Sequence, residues 1–84
     1  MAVQLTPEAA EDFDRLPAAM KPRVRDVIAR LAQWPNVSGA KPLQYDLKGS
    51  FRIRTGDYRV VFLPKGDDIA VTRIGNRRDV YQRR

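Results

Sequence analysis

At Phe51 the spacing of apolar residues changes. Upstream, Ala9, Ala10, Phe13 and Leu16, and then Met20, Val24, Val27, Ile28, Leu31 and Trp34, recur every three or four residues, the period of one face of a helix. Downstream, Phe51 and Ile53 alternate with Arg52 and Arg54, and the runs YRVVFL and IAVTRIG are rich in strand formers, the period of a pleated strand. The strands follow one another through the short turns TGD and PKGDD, so they pair as an antiparallel meander. Helices first and strands afterwards predict an α+β domain. The length of 84 residues fits one such domain, 1–84, with a core small enough that its stability is modest.

Local signals set the element boundaries. Thr6-Pro7 supplies a helix cap and a proline at the first helical position. Between the apolar positions of this helix stand Glu8, Glu11, Asp12 and Asp14, which are expected to face water and to favour the helix N-terminus. Leu16-Pro17 interrupts the pattern, and a second helix is expected from about Ala19 to Gln33, closed by Trp34-Pro35-Asn36. Joined by so short a link, the two read as an N-terminal helical hairpin, packed through its apolar stripes and laid on a small antiparallel β-sheet. Ala2 to Leu5 reads as an edge strand. Residues 35–50 hold two prolines and two glycines without a sustained period, and so read as a connection, pinned to the core by the alternating Leu43, Tyr45 and Leu47.

Alternation sends Phe51 and Ile53 to the helices and Arg52 and Arg54 to the other face. In YRVVFL the apolar residues occupy both faces, with Arg59 beside Val61 and Leu63. Pattern alone leaves the register of Arg59 against Arg54 open, although a tight TGD turn brings them within cross-strand reach.

Charge is unevenly divided. Residues 1–34 hold five basic and five acidic side chains, and residues 35–84 hold eleven basic and five acidic, so the net charge of +6 sits in the second half. Such a segment suits a polyanion, nucleic acid first, with a merely solubilising surface as the competing use. The chain has no cysteine and no histidine, which excludes disulfides, thiol nucleophiles and structural zinc. No cofactor is expected. No run approaches the roughly 18 to 20 apolar residues of a membrane span and the opening MAVQLTPEAAEDF lacks the pattern of a signal peptide. The expected address is the cytoplasm, without a membrane partner.

The segment LKGSFRIRTGDYRVVF followed by IGNRRDVY resembles the RelE/ParE superfamily of bacterial toxins, in particular its RelE-like messenger-RNA interferase branch, and the likeness extends over the whole chain. The resemblance implies a toxin of a type II toxin–antitoxin system. It would be a ribosome-dependent, metal-independent endoribonuclease that cleaves mRNA and inhibits translation. Its partners would be a cognate antitoxin, in a hetero-oligomeric complex, and the ribosome with its mRNA. By motif, the basic residues of the first meander strand fall on Arg52 and Arg54, the arginine of the GYR-like turn on Arg59, the arginine after the last strand on Arg77 and the terminal tyrosine on Tyr81. Where many relatives carry a histidine this chain has Asn76, so a proton-transfer role at that position is absent.

The chemistry is consistent with those residue types. Cleaving RNA by its own 2′-hydroxyl needs a base, cations around the phosphate as negative charge builds, and a proton source for the leaving 5′-oxygen. Without histidine or metal, Tyr81 is the candidate base: a phenol has a reference pKa of about 10, and neighbouring guanidinium groups favour its phenolate. Arg59 and Arg77 would grip non-bridging phosphate oxygens through bidentate hydrogen bonds. Arg52, Arg54, Lys48, Arg78, Arg83 and Arg84 would hold RNA by charge. Each has a competing role: Tyr81 packing on the sheet edge, Arg52 and Arg54 as a solvated strand face, Arg59 as a partner of Asp57 or Asp79, Arg83 and Arg84 as a basic tail. Two other functions share these features: a ParE-like inhibitor of DNA gyrase acting by protein contact, and a nucleic-acid-binding module that does not cut.

Overall fold

In the computed structural model, which describes residues 2–76, Thr6 marks the change from strand to helix. Its backbone is extended and its hydroxyl accepts from Ala9 N at 3.2 Å, satisfying one of the open donors of the first turn. The same hydroxyl donates to Thr72 O at 3.3 Å, and Thr6 N donates to Val71 O at 2.9 Å. One residue thus caps α1 (Pro7–Asp14) and ties its start to the last strand. Ahead of it lies β1 (Ala2–Leu5); after it come α2 (Lys21–Arg30), a 3₁₀ turn at Leu31–Gln33, β2 (Lys41–Pro42), a 3₁₀ turn at Tyr45–Leu47, β3 (Phe51–Thr55), β4 (Tyr58–Lys65) and β5 (Asp68–Asn76).

The five strands form one sheet in the order β1-β5-β4-β3-β2, with β1 parallel to β5 and the remaining pairs antiparallel. Both helices cover one face. Ala9 and Leu16 from the first helical segment and its link, and Val24, Val27 and Leu31 from the second, meet Ile53, Val60, Phe62, Ile69, Val71 and Ile74. Trp34 closes the core beside Phe51 and Phe62, with ring centroids 4.7 and 5.2 Å away. Val71 and Ile74 are both buried although three residues apart, which strict alternation forbids. A bulge resolves this: β4 steps from Val61, opposite Arg73, to Phe62, opposite Val71, leaving Thr72 as the extra residue.

The α+β class is as read, whereas an N-terminal helical hairpin is not confirmed, and the sheet, read as antiparallel, is mixed because β1 runs parallel to β5. The first element is a strand, α1 packs on β5 and β1, and α2 packs on β3 and β4. Between the helices the half-buried Phe13 ring is approached by Lys21 Nζ and the Arg25 guanidinium carbon, 5.9 and 5.6 Å from its centroid. Regular α-helix in α2 ends at Arg30, short of the expected Gln33, where the chain tightens into the 3₁₀ turn. In the connection, Leu43 is half-buried, whereas Tyr45 and Leu47 are 90% and 39% exposed. Of the three, only Leu43 turns inward, so Tyr45 and Leu47 do not pin the connection to the core as expected. Among the described residues no helix is long and apolar enough to cross a membrane.

Candidate nucleic-acid interface

The turn between β3 and β4 fixes the central register. Thr55 pairs with Tyr58, leaving Gly56 and Asp57 as a two-residue turn, and Gly56 sits at φ 61°, a conformation open to glycine and strained for other residues. With that turn set, Arg54 stands directly opposite Arg59, Ile53 opposite Val60 and Arg52 opposite Val61. Ile53 and Val60 belong to the core, so the arginines share the face turned away from the helices. Directly opposed residues have Cβ atoms about 5 Å apart and diagonal neighbours about 7–8 Å, which makes Arg52, Arg54 and Arg59 a triangle of guanidinium-bearing positions. Arg54 is exposed, Arg52 and Arg59 are half-buried, and Arg59 Nε is closed off from solvent. Among the described residues neither Arg52 nor Arg54 is held by a carboxylate.

The next row adds a cation that the sequence reading missed. Lys41 on β2 pairs with Arg52, and the row continues through Val61 to Arg73 on β5. Val61 is 1% exposed although it faces away from the helices; its register neighbours carry long aliphatic stems that make it an apolar floor between two basic side chains. Nothing periodic marks a strand of two residues with a proline in it, so no pattern in the sequence pointed to Lys41. Lys48 lies outside these rows: it is exposed on the loop that enters the opposite end of β3 from Arg54.

Arg73 is occupied by the fold. β1 ends where Leu5 pairs with Val71, and beyond that point the outer edge of β5 has no strand beside it among the described residues. Asp12 takes the place of one. Its carboxylate accepts from Ile74 N at 2.9 Å, from Arg73 Nε at 2.9 Å and from the Arg73 terminal nitrogen at 3.4 Å. The Asp12 side chain is 9% exposed, which corrects the expectation that it faces water. A buried carboxylate is retained because its charge is paired and hydrogen-bonded.

Asn76, at the position where the resemblance implied a histidine, pairs with Tyr58. That register puts it on the helix-facing side of β5, away from the Arg54–Arg59 row. Arg77, Arg78, Tyr81, Arg83 and Arg84, candidates of the sequence reading, lie outside the described residues. Of that set, the structure brings together Arg52, Arg54 and Arg59. Grouped on one sheet face, their guanidinium groups can donate to the oxygens of successive phosphates.

Comparison with known proteins agrees with this architecture. The family model described as the ParE toxin of a type II toxin–antitoxin system, parDE, matches residues 3–81. No curated protein sequence matches the chain. Among solved structures, the RelBE2 toxin-antitoxin complex from Mycobacterium tuberculosis contains a chain similar to this one at a TM-score of 0.78 and 26% identity, covering 90% of this chain and 96% of that one. The RelB-RelE antitoxin-toxin complex from Methanococcus jannaschii gives 0.78 at 21% identity, covering 94% and 95%. The isolated RelE toxin from E. coli gives 0.74 at 15% identity, covering 96% and 90%. The last two bear on the fold alone. A family match over nearly the whole length, on a sheet and helix arrangement shared with these toxins, makes the chain a member of the RelE/ParE superfamily, a toxin of a type II toxin–antitoxin system.

Proposed function

We propose that this toxin is an endoribonuclease of the RelE-like kind, which cleaves mRNA on the ribosome in the cytoplasm and is restrained by a cognate antitoxin in a hetero-oligomeric complex. The observation that carries the reading is the direct opposition of Arg54 and Arg59, with Arg52 diagonal to them. Opposed like charges cost stability, and a phosphodiester between them offsets that cost. In this mechanism Arg59 grips the non-bridging oxygens of the scissile phosphate, Arg52 and Arg54 hold the strand, and charge stabilisation grows as the 2′-hydroxyl attacks. Tyr81 as base and Arg77 as a second phosphate clamp complete the set in the same proposal. Because guanidinium groups do not give up protons at neutral pH, the leaving oxygen takes its proton from water or from ribosomal RNA.

The antitoxin suited to this face is an acidic segment laid over the arginine rows, and charge complementarity would speed that encounter. The toxin–antitoxin complexes among the similar structures support such a partner.

The test is expression of the wild type beside Arg59→Ala and Tyr81→Phe, with primer extension on translated messages. Breaks within codons and growth arrest are expected from the wild type alone, with thermal melting unchanged in the variants. Full toxicity in both variants ends the reading. The ParE family match favours a second reading, inhibition of DNA gyrase by protein contact. Loss of supercoiling by purified gyrase, with messages intact, would select it.

A further inference from the structure

The tip of the β2–β3 hairpin carries the most exposed aromatic side chain of the described residues. Tyr45 is 90% exposed and sits at φ 59°, a left-handed conformation costly for a residue with a Cβ. The tip is not loose. Leu43 N donates to Ser50 O at 2.9 Å, Leu47 N to Gln44 O at 3.2 Å, Lys48 N to Tyr45 O at 3.0 Å and Ser50 N to Leu47 O at 2.9 Å. A Cβ on Gly49 would lie 3.8 Å from Leu63 Cδ1, and Leu63 follows Arg59 and Val61 on the sheet face turned away from the helices. The tip therefore adjoins the basic face, with Lys48 on it and the Lys41–Arg52 pair at its base. Three cations against the one carboxylate of Asp46 leave this end of the face positive.

We propose that Tyr45 is a stacking platform for one base of a single-stranded RNA, whose phosphates run past Lys48, Lys41 and Arg52 toward the Arg54–Arg59 row. This rests on the RNA reading above and adds a subsite to it. An exposed ring on a hydrogen-bonded turn beside cations is the arrangement that binds single strands without regard to sequence, since every base offers a face to stack. A protein hot spot instead seats its aromatic side chain among apolar neighbours that exclude water; Tyr45 stands between the exposed Gln44 and Asp46, with Leu47 the one exposed apolar residue beside it in the turn.

The experiment is fluorescence anisotropy of the purified full chain with a labelled, mixed-sequence single-stranded RNA of about a dozen nucleotides, over a salt series. The variants are Tyr45→Ala, Tyr45→Trp and Lys41→Ala, each checked by thermal melting. Tyr45→Ala is expected to weaken binding about tenfold with the salt slope unchanged, because stacking releases no counterions. Tyr45→Trp keeps the affinity, and Lys41→Ala lowers the slope by about 0.7. Wild-type affinity in Tyr45→Ala overturns the inference, as does a wild type that binds no RNA at low salt. Unchanged RNA binding combined with lost capture by the antitoxin would make the ring a protein contact, and overturns it too. Message cleavage is read separately: wild-type cleavage with an unaffected Tyr45→Ala removes only this subsite, whereas a tenfold Tyr45 effect without any cleavage removes the nuclease and leaves the platform.

Discussion

Arg73 and Arg54 lie two strands apart on one sheet and are held in opposite ways. Arg73 bends round the edge of β5 to a buried carboxylate, and that carboxylate also satisfies the backbone of Ile74. Arg54 points across the turn at a second arginine, with no carboxylate holding it among the described residues. The first arrangement closes an edge that β1 leaves open after Leu5, and so belongs to the stability of the fold. The second places two positive side chains in register on one sheet face, and like charges directly opposite raise the local positive potential. Two arginines in one short meander are thus separated by their partners, not by their residue type.

The largest effect expected from this contrast is at Asp12. Asp12→Ala strands the Arg73 guanidinium and the Ile74 N–H together, at a cost of about 2–3 kcal/mol, read as a fall of roughly 10 °C or more in Tm for a domain of this size. A variant as stable as the wild type would break the distinction outright. Arg73→Met comes next, at about 1 kcal/mol, because Asp12 keeps its bond to Ile74 N while losing its charge partner; a loss equal to that of Asp12→Ala would mean that the backbone bond carries nothing. The smallest effect has the opposite sign. Arg54→Thr removes the like-charge opposition and favours the strand, raising stability by a few tenths to about 1 kcal/mol in a denaturant titration, while its affinity for single-stranded RNA falls with a shallower salt slope. Loss of stability on that substitution would show that Arg54 is held by the fold after all.

Much of this arrangement was legible in the sequence, and the limits were physical. FRIRT declares its two faces by alternation alone, and TGD, read as a tight turn, brings Arg54 to Arg59. YRVVFL was ambiguous because Val61 is buried on the far face, among basic side chains rather than in the core. IAVTRIG concealed its bulge: the extra residue at Thr72 changes the face of everything after it, and no residue type announces it. Asp12 has the spacing and the neighbours of a solvated acid on a short helix. Its role depends on an edge that exists only once β1 has stopped short. Tyr45 and Leu47 were expected to pin the connection to the core because they alternate with Leu43, but two apolar residues one apart are weak evidence of a buried face, and a 3₁₀ turn with one positive φ exposes both.

What the amino-acid sequence determined by itself is local: the helix that Thr6-Pro7 begins, the period-two strands and the tight turn at Gly56-Asp57, which brings Arg54 and Arg59 within reach but leaves their register open. These follow from backbone preferences and side-chain alternation acting over a few residues. Tertiary structure alone decided that Arg54 stands directly opposite Arg59, that Lys41 joins the basic rows, and that Asp12 reaches Ile74 across 62 residues of chain. Such pairings are chosen by which edges and faces remain unsatisfied after the local elements form, and that choice is made by the burial of the whole domain.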